Sequence, residues 1–116
     1  MAVCREISSP GGVTLDHARK EVLNAIWKHY LVKKIISKEL AVELHDAFEK
    51  LVDGKVLLIE GEEKYIGKAF EIAMNHHLPL YDSLYVSQAL RWGKLLTSDS
   101  LQKEVSQNMG IDVIYL

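Results

Sequence analysis

Apolar residues fall along the chain in two patterns, stripes at helical spacing and short runs bounded by glycine, proline and turn residues. Leu23, Ile26, Trp27, Tyr30 and Leu31 recur at i, i+3, i+4, i+7 and i+8, predicting an amphipathic helix with one buried stripe; Asp16 stands where its N-cap belongs. Ser37 offers a second N-cap. Leu40, Leu44, Ala47, Phe48 and Leu51 repeat the stripe, and Asp53-Gly54 ends it with turn chemistry. Val56-Leu57-Leu58-Ile59 is continuously apolar with a β-branched residue at each end, the pattern of a strand buried on both faces. Tyr65, Ala69, Ile72 and Ala73 mark a helix that begins near Glu62, ends near His76-His77 and is blocked by Pro79. Tyr81, Tyr85, Ala89 and Trp92 mark another, closed by Gly93. Leu95-Leu96-Thr97 then reads as a strand, Leu101, Val105 and Met109 as a helix closed by Gly110, and Ile111 to Leu116 as a last strand. This alternation from Leu58 onward predicts an α/β fold with a parallel sheet. Residues 1–12 read as a loop or arm, because Ser8-Ser9-Pro10-Gly11-Gly12 clusters breakers; Val13-Thr14-Leu15 follows as a short strand.

Composition narrows the setting. The 116 residues suffice for one compact domain and are too few for two, and 48% hydrophobic with 26% charged residues is an ordinary globular profile. A net charge of −2 argues against strong nonspecific nucleic-acid binding, although a local basic patch can still hold a few phosphates. The single cysteine, Cys4, excludes an internal disulfide framework and cysteine-cluster zinc sites, which fits a reducing, cytoplasmic setting. No run approaches the roughly 20 apolar residues of a membrane helix, and residues 1–15 contain no secretory h-region.

Three carboxylates stand where an α/β protein would use them. Asp99 follows the carboxyl end of the Leu95–Thr97 strand, where open parallel sheets gather ligands. Asp82 opens a helix just before an apolar stripe, and Glu21 lies about one turn into the first long helix. Brought together, they would repel one another unless a cation neutralised them, and an all-oxygen set suits Mg²⁺ or Mn²⁺. Each also has a plain structural reading: Glu21 as a solvated helix residue, Asp82 as an N-cap, Asp99 as the cap of the helix from Ser100. Asn24, one turn after Glu21, either lines the same pocket or faces solvent. Thr97 and Ser98 either bond a phosphate or shape the strand-end turn. Lys28, His29, Lys33, Lys34 and Lys38 form a basic segment, most simply a solvated helix face. His76-His77 do not share a helix face and read as helix-terminal histidines. Cys4 has no visible basic partner and is not read as a nucleophile.

Four segments carry a family resemblance: Glu21-Val22-Leu23-Asn24-Ala25-Ile26-Trp27-Lys28, Leu80-Tyr81-Asp82-Ser83-Leu84-Tyr85, Lys94-Leu95-Leu96-Thr97-Ser98-Asp99 and Met109-Gly110-Ile111-Asp112-Val113-Ile114. They resemble, in order and roughly in spacing, the "EVANALWK", "YDALY", "LVTAD" and last-strand "GV-V" segments of VapC-type PIN domains. The resemblance covers about residues 13–116, leaving 1–12 as an atypical arm. It implies a PIN-like three-layer α/β fold with a parallel sheet flanked by helices. It also implies a Mg²⁺- or Mn²⁺-dependent endoribonuclease, the toxin of a type II toxin–antitoxin pair. Glu21, Asp82 and Asp99 then take the second, third and fourth acidic positions, as catalytic metal ligands acting directly or through water. The implied partners are RNA, an antitoxin whose C-terminal segment plugs the acidic groove, and a second copy of the chain. One departure matters: the family opens with a mid-sheet strand such as "VLDAS", whose aspartate contacts the metal, and residues 1–12 do not contain it. Dimerisation, strand exchange or a Val3–Ile7 segment would be needed to fill that gap. The rival reading is therefore a degenerate, non-catalytic PIN-like binding or assembly module. A small α/β protein holding a phosphorylated ligand is a third, opposed by the lack of a Gly-rich phosphate loop.

Overall fold

A computed structural model of the chain describes residues 1–5 and 11–116, without the side chain of Arg5; Glu6, Ile7, Ser8, Ser9 and Pro10, part of the expected breaker cluster, lie outside the described residues. The elements run β1 (Val3–Arg5), β2 (Gly12–Leu15), α1 (Asp16–Trp27), a π-helical turn (Lys28–Val32), α2 (Lys38–Asp53), β3 (Leu57–Glu60), α3 (Ile66–His76), α4 (Leu80–Trp92), β4 (Lys94–Thr97), α5 (Ser100–Asn108) and β5 (Asp112–Tyr115). Five helices flank a five-stranded sheet of order β3-β2-β1-β4-β5, an α/β architecture consistent with a PIN-like fold.

Residues 1–12 depart from the loop reading. Val3–Arg5 forms the middle strand of the sheet, with Cys4 opposite Val13 on one side and Leu95 on the other. β1 lies within the expected Val3–Ile7 segment, of which Glu6 and Ile7 are outside the described residues. It runs antiparallel to both neighbours, whereas β2–β3 and β4–β5 are the expected parallel pairs, so the sheet is mixed through this one strand. The reason is chain length. Only a short connection separates β1 from β2, which permits an antiparallel return, whereas a parallel crossover needs a dozen or more residues. Gly11 serves this packing as well as the turn: a Cβ there would stand 2.9 Å from the Val56 carbonyl oxygen, and Gly12 N–H donates to that oxygen at 3.0 Å.

The core lies where α4 crosses the central strands. Leu84, Tyr85, Val86 and Ala89 meet Cys4, Leu15 and Leu95, all nearly solvent-free. Gly93 and Gly110 take left-handed φ values of 94° and 79° after α4 and α5, as the helix-closing reading requires. Ser37 caps α2, its Oγ accepting from Leu40 N–H at 3.1 Å. The residue before α1 is Leu15, not Asp16, which sits in the first turn.

Two burial expectations fail. β3 is an edge strand, so Leu58 is about half exposed rather than buried on both faces. The stripes of α1 and α2 are largely uncovered: Trp27, Leu31, Leu40, Leu44 and Leu51 are exposed, and only Ala18 and Phe48 are fully buried in these two helices. The hairpin is instead tied across by Arg19, whose Nε donates to Glu49 Oε1 at 3.0 Å while its Nη2 pairs with Oε2.

Candidate active site

Because β1 is antiparallel to both β2 and β4, the carboxyl ends of β2, β3, β4 and β5 share one edge of the sheet. Ligands of α/β sheets collect at such an edge, and most of the acidic groups of interest lie there. Leu15 and Glu60 are paired at the ends of β2 and β3, so Asp16, His17 and Glu62 follow directly beyond them. Ser98 and Asp99 follow β4, with Asp99 leading into α5.

Glu21 is half-buried on α1. Its Oε1 accepts from the Tyr85 hydroxyl at 3.2 Å and lies 3.3 Å from His17 Nε2; its Oε2 lies 3.1 Å from the Met1 nitrogen. Burial first, then the charges of Glu21 and Asp82, push the Tyr85 phenol far above its ordinary range. Tyr85 therefore stays protonated and donates to Glu21. Asp82 lies one turn before it on α4.

Asp82, in the first turn of α4, accepts from Gln102 Nε2 at 2.9 Å. The other end of that buried amide, Oε1, accepts from Thr97 Oγ1 at 2.7 Å. Asp99 caps α5, its Oδ1 accepting from Leu101 and Gln102 N–H at 2.9 Å each. Its own N–H donates to Thr97 Oγ1 at 3.1 Å. Gln102 thus joins Asp82 to the turn that carries Asp99. The sequence reading missed Gln102, because a glutamine inside a helix carries no local signal of a buried bridge. Thr97 is buried with its hydroxyl committed to this network, which gives it the strand-end role and removes it from phosphate contact; Ser98 and Asn24 are exposed.

The donor set of Glu21, Asp82 and Asp99 is all oxygen, the chemistry that Mg²⁺ or Mn²⁺ accepts. Gln102 and the α5 cap use one oxygen each of Asp82 and Asp99. Their spacing is wider than one first coordination shell. Among the described residues, the metal-ligating groups whose donor atoms lie within 4.8 Å of one another are Asp16, His17 and Glu62. Glu21, Asp82 and Asp99 do not form such a group.

Glu60, at the end of β3, was also missed. Burial would raise its pKa, but hydrogen bonds from Lys64, Tyr65, Gln88 and Trp92 outweigh that cost and hold it down at about 2. Tyr65 Oη, Gln88 Nε2 and Trp92 Nε1 reach Oε1 at 2.6, 2.9 and 2.9 Å, and Lys64 reaches Oε2 at 2.8 Å. With all its neighbours engaged, Glu60 is a structural hub of this edge.

The fold, with its carboxylate-lined edge, is a mixed α/β domain consistent with a PIN-like fold. The chain is similar to ribonuclease VapC3 of Pyrobaculum aerophilum, 34% identical over 90 residues, which is 74% of this chain and 64% of that protein. It thus spans a little under two thirds of that relative's length, and the similarity supports the resemblance to VapC-like PIN domains. No family model matches the chain. No helix among the described residues is long and apolar enough to cross a membrane.

Proposed function

We propose that this chain is a VapC-like endoribonuclease, the toxin component of a type II toxin–antitoxin pair, with Glu21, Asp82 and Asp99 as its acidic site. The observation that carries the reading is that Tyr85 holds Glu21 while Gln102 ties Asp82 to the Asp99 cap, at the sheet edge where α/β enzymes bind ligands. The similarity to ribonuclease VapC3 supports it. A bound Mg²⁺ or Mn²⁺ would supply an activated water and offset the negative charge of a phosphodiester. Within the chain, Tyr85 holds the Glu21 carboxylate, Gln102 orients Asp82, and the α5 cap fixes Asp99. Exposed Lys28, Lys33, Lys34 and Lys38 offer contacts for RNA phosphates. The uncovered apolar residues of the α1–α2 hairpin support a protein partner, either a second copy or an antitoxin.

A non-catalytic PIN-like module is the second reading. It is favoured by the spacing of the three carboxylates and by β1, whose residues Val3, Cys4 and Arg5 bring no acid to the site. Cleavage of a labelled single-stranded RNA with Mn²⁺, Mg²⁺ or EDTA separates the two. The nuclease reading expects metal-dependent cleavage that falls at least 100-fold in Asp82→Asn and in Asp99→Asn, a loss typical of a removed electrostatic or acid–base group. Absent cleavage, or cleavage indifferent to both substitutions, gives the chain to the binding-module reading.

A further inference from the structure

Beside the carboxylates assigned above lies a second constellation of different chemistry. Asp16 and His17 open α1 just past β2, and Glu62 follows β3, so adjacent parallel strands deliver all three to one place. One donor atom from each lies within 4.8 Å of the other two. The three line a cleft of about 420 Å³, walled also by Lys20 and Tyr81.

His17 is the informative member. Both its ring nitrogens are shielded from solvent and neither makes a hydrogen bond. A buried polar nitrogen without a partner costs free energy and calls for a ligand. The ring is fixed edge-on to Tyr81, with centroids 5.5 Å apart, and tilted against Tyr85 at 4.9 Å. Its Nδ1 lies 4.0 Å from Glu62 Oε2, while Nε2 lies 3.3 Å from Glu21 Oε1 on the other side. One nitrogen thus approaches Glu62 across the cleft and the other approaches Glu21, the disposition in which a carboxylate behind a metal-binding histidine orients its ring. Donors on a tetrahedral ion with bonds of ~2.05 Å are about 3.3 Å apart, so closure asks for shifts below ~1 Å.

We propose that Asp16, His17 and Glu62 form a site for a borderline transition cation of the Zn²⁺ class, with water completing the shell and Glu21 orienting His17 from behind. An imidazole nitrogen with two carboxylate oxygens prefers Zn²⁺ to Mg²⁺, unlike the all-oxygen set of Glu21, Asp82 and Asp99. The exposed carboxylate of Asp16 leaves the cleft open for entry and for the water ligands. Lys20 is a positive charge lining the same cleft.

The test is titration of the untagged, metal-stripped chain with Zn²⁺ by calorimetry, and with Co²⁺ followed by its visible d–d absorption. The site expects one ion per chain, an affinity at least tenfold weaker in His17→Gln and in Glu62→Gln, and a Co²⁺ spectrum lost in both. His76→Gln should leave the titration unchanged, which excludes the helix-end histidines as the site. Millimolar Mg²⁺ in the buffer keeps the all-oxygen set occupied, and the nuclease reading stands or falls separately on RNA cleavage. Glu62 is partly exposed, so its variant should fold even where His17→Gln does not, and circular dichroism checks both. No stoichiometric Zn²⁺ binding, or binding unaffected by His17→Gln and Glu62→Gln, overturns the proposal.

Discussion

Glu60 gathers four donors onto one carboxylate, three from buried or half-buried neighbours on α4 and the loop before α3, and one from Lys64. Those bonds outweigh the cost of burial and hold its pKa down at about 2 against the ordinary 4.5, so they stabilise the folded state. The depressed value means that this stability is complete above pH 4.5 and is lost as pH falls toward 2. Glu60→Gln should lower unfolding free energy at pH 7 by about 2 kcal/mol in urea titrations. The difference from the parent chain should shrink progressively below pH 4.5. Cys4 makes the opposite case. Burial foremost, helped by the charge of Glu60, pushes its thiol up to about 12. The native protein should therefore leave a disulfide reagent such as DTNB unreacted at pH 8 over minutes and react fully in denaturant. Of these residues, the sequence made Asp99 legible as a cap and Cys4 as a non-nucleophile. Glu60 and Gln102 were not legible, because the partners that make them bridges, Gln88 and Trp92 for the one and Asp82 for the other, lie 20 to 32 residues away.

At the scale of elements, β1 carries the most weight for its length. Three residues bridge two parallel pairs, and Cys4 reaches α4, its Sγ 3.9 Å from the Tyr85 carbonyl oxygen. Thr14 Oγ1 also donates to the Ala2 carbonyl at 2.7 Å. A proline inside a central strand removes a ladder hydrogen bond and has no room. Val3→Pro should cost about 3 kcal/mol or more, read as a lower denaturant midpoint or loss of cooperative unfolding. Helix boundaries, by contrast, were legible to within a few residues. Ser37, Gly93, Pro79 and Gly110 act on their own neighbours, and capping and left-handed closure are local effects.

Across the whole molecule, the radius of gyration is 14.8 Å, against about 13 Å for a compact chain of this length. The α1–α2 hairpin, with its uncovered stripes, is consistent with the excess. Trp27 is about half exposed, so Trp27→Ser should alter monomer stability by no more than ~0.5 kcal/mol in thermal unfolding. The same substitution should weaken self-association in sedimentation experiments if this face meets a second copy. A large loss of monomer stability would mean that the indole is packed, contrary to its position here.

Period, breakers and caps determined that this chain makes five helices after Asp16, that strands end near Glu60, Thr97 and Tyr115, and that Asp99 leads a helix. These follow from interactions within a few residues, which a linear pattern records. Tertiary structure alone decided that Val3–Arg5 enters the middle of the sheet in the reverse direction and that the α1 and α2 stripes face outward. It alone decided that Gln102 links Asp82 to Asp99 and that His17 stands between Glu21 and Glu62. Each of these depends on partners brought from far along the chain, 81 residues apart for Cys4 and Tyr85. Such pairings are chosen by the competition of whole surfaces for burial, which no local spacing encodes.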